Sequence, residues 1–462
     1  MAKFPMLASL VKAELTQRGE EGCETEGFEA KIEAAGEEEA ALLRVYEELM
    51  RLPLAASFPY REPSDLDAIR VERPEGPRLL PRSMTEAAWR DKFLGAWLGR
   101  CAGCALGKPV ERGPFMGGSD GRPGWENIRL WFEGADAWPI RGYTPRESRA
   151  AETYGLAVNP HSRSLRDVIA YMESDDDIRY TALGLLMLER KGLNFTSWDI
   201  GELWFELLPF GQVYTAETQA YFNFASLWAR QSRSADDWEE KREWVRTYMN
   251  PYREWIGAQI RADGFAYGAA GHPELAAELA WRDASFSHVK NGIYGEMFVA
   301  AMIAAAFVET DMERVVEIGL SEIPRDSRLA HDVRQAVDIA RSSRTQLELV
   351  ERVWNAFSHY HPVHTNNNAA LVAASLVFAK GDYETAITTA VLGGWDTDCN
   401  GATVGSILGA SLGASRLPSD WIAPLNDTLY AEVTGFQPIA ISECAERSFA
   451  VFRRLNPSAE IL

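Results

Sequence analysis

Apolar positions repeat with a helical period over most of the chain. In "DIRYTALGLLMLERKG" (177–192) they fall three and four residues apart, an aspartate opens the run and Gly192 stops it, so the spacing predicts a capped helix. "HPELAAELAWRDASFSHVKNGIYGEMFVAAMIAAAFVE" and "LELVERVWNAFSHY" continue in the same style. Alternating β-branched runs bounded by turn residues are scarce, so the predicted class is all-α. The first 85 residues read differently. "RGEEGCETEGFEAKIEAAGEEEAALLRVYEELMRL" is acidic and rich in Ala, Glu and Leu, which predicts an exposed or peripheral helix ending near Leu52. "PYREPSDLDAIRVERPEGPRLLPRS" carries five prolines and no helical period, and reads as a connecting arm. A boundary near Met84 therefore separates residues 1–85, an acidic helical extension with its arm, from a helical domain over residues 86–462. Ser83 and Glu86 have the spacing of a capping box at that start. Residues 112–148, rich in Gly, Pro and Trp, are the main irregular segment, and a loop of that length inside a domain suits a lid or a binding loop.

Two glycine series stand out within the helical pattern. Gly95, Gly99, Gly103 and Gly107 are spaced by four, as are Gly401, Gly405, Gly409 and Gly413. Residues four apart share a helix face. A glycine inside a helix costs up to ~1 kcal/mol relative to alanine, so two such runs predict helices whose backbones approach closely and recover that cost in dispersion contacts. The apolar stretches 295–307 and 369–381 each hold about a dozen apolar residues, against the ~20 that a membrane span needs. They read as buried core helices.

Composition removes some function classes. With 47 basic and 67 acidic residues the net charge of the 462-residue chain is -20, which argues against a partner gripped through nucleic-acid phosphates. Five cysteines are an odd and sparse complement, in keeping with a reducing cytoplasm rather than a disulfide framework. The N-terminal stretch lacks the apolar core and small-residue cleavage site of a secretory leader, so a cytoplasmic location is expected. Cys101 and Cys104 form a C-x-x-C with no second pair to complete a zinc site, and read as small packing residues.

Three acidic groups lie at element boundaries beside the glycine helices. Glu111 follows Pro109, where a helix has to end or kink. Ser174, Asp175, Asp176 and Asp177 crowd a second helix start, and Asp396 and Asp398 a third. One aspartate per helix start is ordinary capping; three in succession repel one another. Residue types alone leave two readings open: independently capped helices, or a site in which a divalent cation neutralises the cluster, with hard oxygens suited to Mg²⁺ or Mn²⁺.

The three motifs together resemble the ADP-ribosylglycohydrolase family, over roughly residues 90 to 435. "GAWLGRCAGCALGKPVE" (95–111) is similar to its first signature, G-A-x-x-G-x-x-x-G-D-A-L-G-x-P-x-E. "SDDD" (174–177) approximates T-D-D-T, and "GGWDTDCNGATVGSILGA" approximates G-G-D-T-D-T with its glycine-spaced helix. The resemblance implies a compact helical fold around two divalent cations, Mg²⁺ or Mn²⁺, with Ser174, Asp175, Asp176, Asp396 and Asp398 as metal ligands. It implies Glu111 as the catalytic carboxylate and His288 near the substrate, and the inserted Trp395 is expected beside the substrate too. The implied activity is hydrolysis of the ribosyl glycosidic bond of an ADP-ribosylated protein or an ADP-ribose-like small molecule, without nucleic-acid or membrane partners. The chain departs from the pattern in five places. Ser174 replaces the first Thr of the second motif and keeps its hydroxyl. Cys104 replaces the Asp of the first motif, Asp177 the last Thr of the second and Cys399 the Thr of the third, while Trp395 is inserted after Gly394. These departures keep open a different ribonucleoside or small N-glycoside as substrate, and beyond that a non-catalytic, crystallin-like relative. Trp125, Trp131 and Trp138 offer aromatic faces for a base or sugar, or equally anchors for their loop.

Overall fold

The computed structural model describes residues 6–229, 235–457 and 459–461. Among them helices predominate and the strands are two-residue pairs, so the all-α expectation holds. At the centre, helix Glu86–Gly107 packs on helix Thr397–Leu412 more extensively than any other pair of elements. Glycines make this possible. A Cβ added at Gly103 would overlap the carbonyl oxygen of Gly401, and one added at Gly401 would overlap that of Gly103. The predicted close approach is thus backbone on backbone, which any side chain would prevent.

Around this pair the remaining helices supply the core. Helix Lys290–Ala306 is buried along its whole length past Lys290, as an all-round apolar helix requires. Helix Asp176–Lys191 ends at Gly192, as its pattern predicts, and buries Ile178, Ala182 and Leu185. No helix among the described residues is long and apolar enough to cross a membrane.

Four details differ from the sequence reading. The acidic stretch is not one helix but part of a three-helix unit, Leu7–Glu20, Phe28–Ala35 and Glu39–Met50, because Gly22, Gly27 and Gly36 take positive φ between them. The unit has its own apolar cluster, with Val11, Ile32 and Leu49 inside. The connecting arm contains helix Leu66–Glu72, capped by Asp65 and burying Ile69; two turns are too short to display a period. Thr85, not Ser83, caps the first glycine helix, accepting from the Ala88 N–H at 3.2 Å, while Ser83 pairs in parallel with Glu460. The loop 112–148 holds helix Gly124–Gly134, with Ile128, Trp131 and Phe132 turned inward.

Candidate functional site

The two glycine helices bring their ends together at one spot. The first ends in a turn, Lys108–Val110, where Pro109 halts the helix and leaves Glu111 at the cap. The second begins beside it, and the Thr397 hydroxyl donates to the Gly107 carbonyl at 3.0 Å. Helix Asp176–Lys191 starts alongside. The three acidic groups, distant in sequence, thereby meet.

Capping explains only part of this cluster. Asp175 is an N-cap in the ordinary sense, its Oδ1 accepting from the Asp177 N–H at 3.0 Å. Asp396 occupies the N-cap position of its helix and makes no capping bond. Its Oδ1 is buried with no hydrogen-bond partner, as are Asp398 Oδ1 and Asp177 Oδ2. A buried carboxylate oxygen without a donor is costly, and a bound cation would supply the missing partner. Cys104, Asp175, Asp177 and Asp398 each offer a ligand atom within 4.8 Å of the others, and so do Asp396, Asp398 and Cys399. The donor set fits a divalent cation centred on Asp398, which belongs to both groups.

Two resident cations also enter the cluster. Lys108 Nζ is ion-paired with Asp175 Oδ2. Arg100, fully buried, pairs with Asp177 Oδ1 at 3.1 Å and with Asp263 Oδ2 at 2.8 Å. These contacts divide the carboxyl groups. Burial would raise Asp175, but the Lys108 ammonium draws it down to about 2. Burial, and then the charge of Asp175, lifts Asp176 to about 7. Burial followed by the charge of Glu111 pushes Asp398 well above the carboxylate range. Glu111 is accessible from the cleft, yet enclosure by its walls and the charges of Asp396, Asp175 and Asp176 push it far upward against the pull of Lys108.

A cleft of about 730 Å³ opens onto this cluster, and Lys108, Glu111, Ser174, Asp175, Asp176 and Asp396 line it. A second cleft, about 620 Å³ around Asp311 and Arg344, has none of the expected site residues. Tyr214 stands half out of the first cleft, and on its wall Trp255 and His361 stack at 4.1 Å and 11°. Ser174 lies at the edge, where its hydroxyl donates to Glu432 Oε2 at 2.9 Å and accepts from Arg179 Nη2 at 3.0 Å.

The structure does not bring every expected residue to the cleft. His288 is fully buried behind it, with Nδ1 2.8 Å from Ser287 Oγ and Nε2 3.9 Å from Glu217 Oε1. Glu217 itself does line the cleft, held by Arg261 at 2.6 Å. Trp395 is also buried, its ring stacked on Trp354 at 5.1 Å and 14° and its backbone N–H donating to the Met116 carbonyl. Its φ of 60° turns the chain so that Asp396 faces the cluster while the indole faces away from the cleft. Of the loop tryptophans, Trp131 is an anchor, its Nε1–H donating to the Pro145 carbonyl at 2.9 Å. Lys108, Glu217 and Glu432 escaped the sequence reading. Only Lys108 carried a signal, as the variable position inside the first motif. Cys104, read there as a packing residue, also faces the carboxylates.

A helical body with a buried carboxylate centre where two glycine helices meet, opening onto one cleft, defines the class of protein. The family model for ADP-ribosylglycohydrolase matches residues 85–454, and the chain belongs to that family. Among solved structures, one described as an ADP-ribosylglycohydrolase-related protein complex aligns with a TM-score of 0.48 and 19% identity, covering 80% of this chain and 99% of that one. No curated protein sequence matches the chain. Family membership supports a glycohydrolase of the ADP-ribosylglycohydrolase type.

Proposed function

We propose that the protein is a hydrolase that uses a divalent cation, Mg²⁺ or Mn²⁺, to cleave the ribosyl glycosidic bond of an ADP-ribosylated protein or small molecule. The observation that carries this reading is Glu111, which opens onto the same cleft as Asp175, Asp176 and Asp396 and stands within electrostatic reach of Asp396 and Asp398, two buried carboxylates that each have an orphaned oxygen. Asp177, Asp396 and Asp398 would hold the cation through those oxygens, with Asp175 and Asp176 beside them. A cation bound there supplies charge neutralisation and orients hydroxyl groups.

The chain's own residues do the rest. Glu111, whose proton affinity is raised by enclosure and by the neighbouring carboxylates, is placed to exchange a proton with an attacking water or a leaving group. Carboxylates around it keep that affinity high. Tyr214 and the stacked Trp255–His361 pair offer flat faces to a base or sugar. A second reading keeps the chemistry and changes the substrate to another ribonucleoside or small N-glycoside. The departures at Cys104 and Cys399, both facing the centre, favour it.

The test is a hydrolysis panel of ADP-ribose conjugates and ribonucleosides, each with Mg²⁺, with Mn²⁺ and with chelator. Metal-dependent release of ADP-ribose supports the first reading, and release of a free base alone supports the second. Turnover of nothing on the panel removes both.

A further inference from the structure

We infer that Lys108 takes the place of one of the two cations implied by the family resemblance, so that the centre binds a single divalent ion held mainly by Asp396 and Asp398. The inference rests on the reading that this centre binds a divalent cation at all, and deepens it.

The oxygens of the cluster fall into two sets. On the side of helix Asp176–Lys191 most are already engaged. Asp175 Oδ2 is paired with Lys108, and Asp175 Oδ1 accepts the Asp177 N–H. Asp177 Oδ1 is held by Arg100, and the Ser174 hydroxyl is shared between Glu432 and Arg179. Asp177 Oδ2 is the buried oxygen on that side without a partner, whereas on the other side Asp396 Oδ1 and Asp398 Oδ1 both have none. The pair is largely enclosed at the cleft wall, the Lys108 side chain being 16% exposed and that of Asp175 2%.

Charge and donor chemistry agree with this division. A lysine ammonium is a compact point charge with three donors, able to neutralise a carboxylate where a metal ion otherwise would. Mg²⁺ requires near-octahedral hard oxygen. Cys104 and Cys399 put sulfur into the two groups of ligand atoms, where the family motifs carry Asp and Thr. Each exchange removes a hard donor and leaves a softer one that Mg²⁺ disfavours. The set of oxygens that remains suffices for one ion.

The experiment counts metal without reference to activity. The full-length chain, stripped with chelator and titrated with Mn²⁺ in a calorimeter, is expected to bind one ion. Its electron paramagnetic resonance spectrum should be that of isolated Mn²⁺, with no coupled pair. Lys108→Met, checked for an unchanged melting profile, is expected to bind two and to show the coupled spectrum. Lys108→Arg retains the charge and should stay at one; Lys108→Gln, which removes it, is expected to bind two and takes the place of the methionine variant if that one does not fold. Two ions in the wild-type chain, or one in a folded Lys108→Met, overturns the inference. No Mn²⁺ binding in any form removes the metal centre itself, a different failure from a count of two.

Discussion

At the scale of single residues, Glu111 and Asp398 have separable roles. Glu111→Gln keeps size and most hydrogen bonding but cannot take up a proton. Its expected effect is a loss of turnover of ~10²–10⁴-fold with an unchanged melting temperature and unchanged Mn²⁺ affinity. A residue that only closed the turn after Pro109 would give the opposite pattern, with stability reduced and the rate near normal. Asp398 stands in both groups of ligand atoms. Asp398→Ala should therefore abolish tight Mn²⁺ binding, measured by calorimetry, where a helix-start aspartate of purely local function would leave it unchanged. The sequence marked Asp398 through the crowding of carboxylates and Glu111 through its place in the first motif. It could not rank Asp177, one of whose oxygens is held by Arg100, 77 positions earlier, while the other is left without a partner.

At the scale of elements, the glycine helices and the N-terminal unit invite different tests. Gly103→Ala forces a methyl into the Gly401 carbonyl, and helix backbones cannot yield as a flexible side chain does. Overpacking typically costs 1–3 kcal/mol, occasionally more; here a loss of at least ~3 kcal/mol in denaturant unfolding is expected. Gly142→Ala meets nothing within 4 Å and should leave stability unchanged. The N-terminal unit docks through buried charge: Arg253 pairs with Glu14 at 2.7 Å and Glu21 at 2.9 Å, and Gln17 donates to Glu254 at 2.7 Å. Glu20 lies at the edge of this network, its Oε2 3.7 Å from His364 Nε2. Burial, then the charge of Glu254, lifts it to about 7 despite Arg328. Because the folded chain holds this proton more tightly than the unfolded one, the contribution is full below pH ~4.5 and is lost as pH rises toward 7. Glu20→Gln is expected to flatten that decline and to be more stable than wild type at pH 8, by roughly 1–2 kcal/mol after discounting its part exposure. Thermal melts of both proteins from pH 5 to 8 check it, and identical slopes would dismiss the assignment.

For the molecule as a whole, the acidic centre lies at the meeting of elements from both ends of the family region, so its charge bears on global stability. A cation that binds only the folded chain stabilises it by mass action. Stripping the metal-loaded protein with chelator is expected to lower the melting temperature, and adding Mn²⁺ back should restore it. A melting temperature indifferent to chelation, once bound metal has been verified, would show that the cation does not bind the folded chain in preference to the unfolded one, and would remove the buried centre as its site.

The sequence by itself determined the helical class, the two glycine helices and the three acidic groups at element boundaries. All of these are local: periodicity, spacing and charge repulsion act over a few residues and are visible in any window of that size. The seven-residue helix Leu66–Glu72 and the breaks at Gly22 and Gly27 lay below that resolution. Only the tertiary structure decided which side chains face the cleft. Trp395 was expected beside the substrate, but a positive φ at one residue sends its indole against Trp354 and leaves Asp396 pointing inward. His288 was expected near the substrate too, and it sits behind Glu217, which no motif had marked. The Lys108–Asp175 pair spans 67 positions and depends on where the helix end at Pro109 meets the start of another. Such directions are set by packing across distant segments, because a side chain's neighbours in space are chosen by the whole fold and not by its neighbours in the chain.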